Sequence, residues 1–370
     1  MKRMLFDTLL LSVTVALSGC SESGKYTYYE GNATPDATIT TTQESLIFAE
    51  DGGKATFDVS TTGKEWGVYA TENFIKVDYE NTNTPKGTVT VIVEENPTTY
   101  ERTGSVVVMS GNARKSISVT QKAAHKSNAP EGYSLVWNDE FNNGSELNAA
   151  DWTHEVQNSG WVNNELQNYV NHKTPEGNLV TEIRGGKLRI TALKENGKVY
   201  SGRVYAKVKE GWKYGYIEAS IKLPKGKGTW PAFWMMPVNF KSWPADGEID
   251  IMEEVGGHAN YVSSSLHANA HVHSNNTQIT HEMYLDGAED EFHTYAILWT
   301  AQNIMTYVDG KIQLSYDNRG LGRDDWPYED PFYVIFNLAW GGTWGGTYGI
   351  DESALPCTME VDYIRVYQKK

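Results

Sequence analysis

Between residues 39 and 122, hydrophobic and polar positions alternate in short runs. The clearest are 45–48, 55–59, 87–93, 104–108 and 116–119, each bounded by turn-forming residues. A period of two places alternate side chains on opposite faces, so each run predicts a half-buried strand. Their regular spacing predicts a small immunoglobulin-like β-sandwich. The same period returns between residues 133 and 370, in the runs 188–191, 216–223, 248–253, 295–299, 305–309, 332–337 and 359–367. Asp309-Gly310, between Val308 and Ile312, is a hairpin turn signal. No long amphipathic helix interrupts these runs, so the predicted class is all-β. The larger unit should be two stacked antiparallel sheets, curved on one side into a groove. Residues 20–38 and 123–132 are polar and without period, and read as a flexible tether and a linker.

Residues 1–19 have the form of a signal peptide. Lys2 and Arg3 precede an apolar stretch, and Leu17-Ser18-Gly19-Cys20 looks like a bacterial lipobox with Cys20 as the acylated residue. That reading places a monomeric chain in the bacterial cell envelope, anchored by lipid to the outer membrane and facing the exterior. No other stretch approaches the roughly 20 apolar residues that span a bilayer. Tyr (22), Trp (12) and Gly (34) are abundant, which fits strands and turns. The net charge of −15 argues against nucleic acid, which needs a basic footprint. Cys20 and Cys357 show neither metal-type spacing nor a disulfide framework.

The segment Asp246-Gly-Glu248-Ile-Asp250-Ile-Met252-Glu253-Glu254 carries the candidate chemistry. On a strand, Glu248 and Asp250 share one face and Ile249 and Ile251 the other. Strict alternation would bury Glu253 among the apolar residues, at high cost. A β-bulge at or near Met252 restores the phase and sets Glu253 beside the other two acids. Two glutamates leaning together across about 13 Å of strand approach the spacing of a retaining glycosidase, whose carboxyls stand about 5–5.5 Å apart. Crowding raises at least one pKa, so one acid stays protonated near neutral pH. A solvated acidic strand would carry the same pattern. The aromatic residues Trp230, Phe233, Trp234, Phe240 and Trp243 favour the catalytic reading, since sugar rings stack on aromatic platforms. Alternation places Trp230 and Trp234 on one face and Phe233 on the other.

Residues 39–122 resemble the BACON domain in Gly52-Gly53, Trp66, Phe74 to Val77, Arg102-Thr-Gly104 and Val119-Thr-Gln121. Trp66 reads as core rather than as a binding surface. Residues 133–370 resemble glycoside hydrolase family 16, a jelly-roll, concanavalin-like sandwich. Glu248 to Glu253 match its signature in the bulged form of laminarinases (endo-1,3-β-glucanases) rather than the shorter form of lichenases. Gly160 to Gln167, Ser201-Gly-Arg203, Tyr214 to Ala219, Leu223 to Met235, Phe292 to Ala296, Asn337 to Gly342 and Val361 to Tyr367 extend the match.

The resemblance implies Glu248 as nucleophile, Glu253 as acid/base and Asp250 as the residue tuning Glu248. It implies sugar contacts from Asn164, Arg203, Trp230 and Trp234, with His267 beside the acidic strand. Trp340 departs from the family pattern and is expected to add a platform or narrow the groove. No cofactor is implied for catalysis. A structural calcium is, on Asp139-Glu140 and Asp362. His271 and His273 are not expected to form a zinc site. The function implied is endo-hydrolysis of β-1,3-glucan and mixed-linkage β-1,3/1,4-glucan, with β-glucan polymers and oligosaccharides as partners. Alternatives are action mainly on mixed-linkage glucan or a galactan, transglycosylation, and a lectin-like protein that binds glucan without cutting it.

Overall fold

The computed structural model describes residues 37–370 except 81–83, 97, 99, 100, 124–126, 143, 207–209, 273 and 274. The signal peptide, Cys20 and nearly all of the tether lie outside the described residues.

Among the described residues, eight strands form the N-terminal sandwich. One sheet runs Ile39–Thr41, Gly53–Thr61, Lys86–Val93, Ile75–Tyr79. The other runs Ser45–Phe48, Ala113–Gln121, Arg102–Ser110, Gly67–Ala70. The alternating apolar residues meet between the sheets, where Phe57, Val89, Val91, Val106, Val108, Ile117 and Val119 form the core. Trp66 joins them at 2% exposure, so it is a core residue as its sequence context indicated.

The second sandwich stacks a seven-stranded sheet on a ten-stranded one. The seven strands, in spatial order, are Trp152–His154, Arg203–Ala206, Phe332–Trp340, Thr229–Pro237, Glu248–Glu254, Tyr261–His267 and Ile279–Tyr284. Their inward residues, among them Phe233, Met235, Ile249, Ile251, Met252, Phe336 and Leu338, pack against Ile190, Ile217, Ile221, Ile297 and Ile364 of the other sheet. Asp309 and Gly310 both have positive φ (48° and 73°) and close the predicted hairpin between Asn303–Val308 and Lys311–Asp317.

In the ten-stranded sheet the last strand, Cys357–Lys369, pairs with the first, Tyr133–Asp139, so both ends of this unit are sewn into one sheet. Ala129 in the linker and Tyr133, the first residue of that strand, pack on Tyr216, Ala296 and Tyr367. The end of the linker is therefore laid down on the outer face of the ten-stranded sheet.

The acidic strand breaks register where its sequence requires it. Asp250 pairs with Trp234 and Glu253 with Ala232, so three steps on one strand match two on its neighbour. The other side repeats the mismatch, with Asp250 opposite Ser265 and Glu253 opposite Ser263. The extra residue falls at Ile251–Met252, and both side chains are fully buried in the core. This is the bulge that the cost of burying Glu253 called for.

Candidate active site

Glu248, Asp250 and Glu253 stand on the outer face of the seven-stranded sheet, each with a different partner. Glu248 lies opposite His267 in the neighbouring strand. The imidazole Nε2 of His267 is 2.9 Å from Asp250 Oδ2 and 3.7 Å from Glu248 Oε1. His267 is buried, and its backbone carbonyl accepts a hydrogen bond from Tyr328 Oη at 2.9 Å. The Trp243 ring packs 5.8 Å from the imidazole, and its Nε1 donates to Glu248 Oε2 at 3.1 Å. On the other side of the cluster, Trp230 Nε1 donates to Glu253 Oε1 at 3.0 Å.

All three carboxyls are held above the usual carboxylate range. Burial is the largest cause in each case. The neighbouring Asp250 raises both glutamates further by like-charge repulsion. The opposing influences differ. His267, Arg203 and the Trp243 indole favour the ionised form of Glu248, whereas Trp230 and His267 alone do so for Glu253, which also feels Glu248. His267 bears on both glutamates, whereas the Arg203 guanidinium bears on Glu248 and like-charge repulsion from Glu248 bears on Glu253, so Glu248 gives up its proton before Glu253 does. On this face Glu248, pushed up to about 8, is the stronger acid of the two glutamates, and Glu253, held well above the usual range, keeps its proton longer.

Beside the acids lies a polar and aromatic wall. Trp230 and Trp234 share the outer face, and Phe233 is in the core, as alternation required. Arg203 is buried, and its Nε sits 2.6 Å from Glu155 Oε2. Its guanidinium stacks on Trp234 (4.6 Å) and Trp161 (5.0 Å). Trp234 Nε1 donates to Asn337 Oδ1 at 2.7 Å, Asn337 Nδ2 donates to Tyr169 Oη at 3.2 Å, and Tyr169 reaches Glu165 Oε2 at 3.4 Å. Asn164 is exposed in the same loop as Trp161, in a left-handed conformation (φ 52°).

Trp340 is a correction. Its side chain is 1% exposed and belongs to the core between the sheets, so it neither forms a platform nor narrows a groove. Strand parity is the reason. Trp340 points the same way as Phe336 and Leu338, and the outward position of this strand near Trp234 is Asn337. Sequence reasoning gave no individual role to Asn337, Trp161 or Glu155, while Trp243 stood among the aromatics that favoured the catalytic reading. Trp243 and Trp161 were visible as aromatics beside the motifs, but Asn337 and Glu155 become meaningful only through contacts distant in the chain.

The calcium implied at Asp139-Glu140 and Asp362 is a second correction. The Glu140 carboxylate is taken up by Arg365, with Nε–Oε1 at 2.8 Å and Nη2–Oε2 at 2.9 Å. Asp139 accepts from the Phe141 N–H and from Trp152 Nε1. Asp362 Oδ1 is paired with the Lys122 ammonium at 2.9 Å. Chain cations neutralise Glu140 and Asp362, and Asp139 is taken up by neutral donors, so the residues as they stand do not fit a divalent ion. His271 bonds Asp325 (2.9 Å) and the Tyr316 hydroxyl (3.0 Å), while His273 lies outside the described residues. Glu248, Asp250 and His267 bring ligand-type atoms within 4.8 Å of one another, but their closest approach is the imidazole–carboxylate hydrogen bond already described.

The sequence pattern of the family described as glycosyl hydrolases family 16 matches residues 163–365. That of the BACON family matches residues 64–122. A beta-glucanase from Rhodothermus marinus is 36% identical over 264 residues, covering 68% of this chain and 91% of that protein. The crystal structure of a laminarinase from Flavobacterium sp. UMI-01 superposes with a TM-score of 0.58 at 40% identity, covering 64% of this chain and all (100%) of that one. A non-specific endo-β-1,3(4)-glucanase superposes with a TM-score of 0.61 at 39% identity, covering 65% and 93%.

The two indole donors can be removed separately. Each lowers the pKa of the carboxyl it touches, so Trp230→Phe should raise the pKa of Glu253 and Trp243→Phe that of Glu248. A ¹³C NMR titration of the side-chain carboxyls reads both midpoints. Midpoints that stay in place in both variants would remove the indoles from this account.

Proposed function

The chain belongs to the glycosyl hydrolases of family 16, and from that premise we propose that it cuts internal β-1,3 linkages of laminarin-type glucan and of mixed-linkage β-1,3/1,4-glucan, with retention of anomeric configuration. The observation that carries this reading is the bulged strand, which sets two glutamates on one face in unequal electrostatic surroundings. The glucanases and laminarinases among the similar proteins support the substrate class. Both glucans are neutral, which suits a chain of net charge −15.

In the first step a Glu248 carboxylate oxygen attacks the anomeric carbon as the bond to the leaving oxygen breaks. Glu253 gives its proton to that oxygen, so the departing chain leaves as a neutral alcohol. In the second step Glu253, now ionised, takes a proton from water. The resulting oxygen attacks the anomeric carbon and the ester to Glu248 breaks, which restores both carboxyls. Two displacements on one carbon give net retention. Glutamates and water supply every atom and proton, so no cofactor enters. Asp250 and His267 position Glu248 and balance its charge. Trp230 and Trp234 offer faces for sugar rings, and Arg203 and Asn164 offer donors to hydroxyls.

Glu248→Gln should abolish release of reducing ends from laminarin. Glu253→Gln should lower kcat by at least about 100-fold. ¹H NMR of the first product from wild-type protein should show the β anomer. An α anomer first, or full activity in Glu248→Gln, would refute the mechanism. Release from agarose or carrageenan in preference to either glucan would move the substrate to a galactan.

We further propose that the chain is a monomer held at the outer membrane through a lipid on Cys20, with the N-terminal sandwich as a spacer. The basis is the Leu17-Ser18-Gly19-Cys20 pattern after an apolar run, and the burial of Trp66 supports a spacer rather than a sugar-binding face. Cys20→Ser leaves no thiol to acylate and should shift the protein from the membrane to the soluble fraction. A variant that stays in the membrane fraction would contradict the anchor.

A further inference from the structure

Lys122 belongs to the N-terminal sandwich by its backbone and to the catalytic sandwich by its side chain. It follows the strand Ala113–Gln121. Its N–H donates to the Phe48 carbonyl at 3.0 Å, and its own carbonyl accepts from Asn96 Nδ2 at 2.8 Å. The side chain then crosses to the ten-stranded sheet. There its ammonium meets the backbone carbonyls of Glu140 (3.0 Å), Gly186 (2.9 Å) and Asp362 (3.0 Å), and Asp362 Oδ1 at 2.9 Å.

These four oxygens come from three separate segments: the end of the first strand of the catalytic unit, the turn before Leu188–Glu195, and the last strand. An ammonium has three protons to donate, and four acceptors surround it at nearly equal distance. The set is oxygen-only, dominated by carbonyls and completed by one carboxylate, which is the donor chemistry of a hard cation site. It is also tight. Gly186 has φ 69°, and a Cβ there would come within 3.3 Å of Ile47 Cγ2 and 3.4 Å of Lys122 Cε. The Lys122 side chain is 13% exposed. Beside it, Arg365 Nη2 reaches Glu50 Oε2 at 3.3 Å, a second charged contact between the sandwiches.

We propose that in this chain the Lys122 ammonium takes the place of the calcium that the family resemblance implies at Glu140 and Asp362, latching the N-terminal sandwich to the catalytic one, and that these oxygens accept Ca²⁺ only when the ammonium is removed. Three carbonyls and a carboxylate aimed at one point repel each other without a cation between them. The lysine meets that need from within the chain, so the stability of the intact protein does not depend on metal. It also ties the end of the N-terminal sandwich to the catalytic unit beside the Arg365–Glu50 contact, and so gives the N-terminal sandwich a set orientation. This inference stands apart from the catalytic reading, because the latch lies on the outer face of the ten-stranded sheet and the acids lie on the outer face of the other.

The test uses the full chain and Lys122→Met, which keeps the length of the stem and removes the charge. Wild-type protein should show the same Tm in EDTA and in millimolar CaCl₂, and no Ca²⁺ uptake by isothermal titration calorimetry. Lys122→Met should melt several degrees lower in EDTA, recover saturably with Ca²⁺ and bind a single ion per chain. Adding Asp362→Asn should abolish that recovery. Ca²⁺ uptake by the wild type, or none by Lys122→Met, would overturn the proposal. A second measurement needs no variant: reductive methylation of native protein should label Lys122 far more slowly than exposed Lys76. Equal labelling rates would overturn the latch.

Discussion

The extra residue at Ile251–Met252 decides on which side of the sheet Glu253 stands. Without it, period two would carry Glu253 into the core beside Ile251, where an unpaired carboxylate costs several kcal/mol or must stay neutral. With it, both Ile251 and Met252 are buried and Glu253 reaches the outer face. The neighbouring strands bear the same mismatch on both sides, so the bulge is held by two ladders. The remaining features of the site depend on that slip. The Trp230 donor, the His267 bridge and the Asp250 spacer have a function only when the two glutamates face the same way.

Once on one face, the acids differ by surroundings. Glu248 faces an imidazole, a guanidinium and an indole donor. Glu253 faces one indole, the same imidazole and two other carboxyls. The same chemical group is thereby sorted into a carboxyl that ionises first and one that keeps its proton longer, the order that the two halves of a double displacement require. Arg203 joins this arrangement to the sugar-facing wall. It is pinned by Glu155 and stacked between two indoles, and its charge bears on Glu248. Binding surface and nucleophile thus share one cation.

The strands and the acids were legible in the sequence because both rest on period two and on the cost of burying charge, which are local. The same reasoning placed Trp230 and Trp234 outward and Phe233 inward. Trp340 obeys the same parity and is buried with Phe336 and Leu338, so its departure from the family motif adds no platform. Asn337, three positions earlier, is the outward residue. Trp161 and Glu155 acquire their role only by meeting Arg203 across more than forty residues of chain, which no local pattern encodes. The short strands Trp152–His154 and Gln167–Tyr169 carry too few residues to show a period. The calcium expectation failed for a similar reason. Glu140 and Asp362 look like ligands in isolation, and nothing local announces that Arg365 and Lys122 will reach them first.

The central claim is that Glu248 bonds to the sugar and Glu253 moves the proton. Chemical rescue with azide separates these roles most directly, using an aryl β-glucoside of laminaribiose whose leaving group needs no acid. In Glu248→Ala, azide takes the place of the missing nucleophile, and a single displacement gives the α-glycosyl azide. In Glu253→Ala, the ester to Glu248 still forms, azide replaces water, and two displacements give the β-glycosyl azide. The account predicts that pair of anomers by NMR. The reverse pair, or rescue of neither variant, would contradict it.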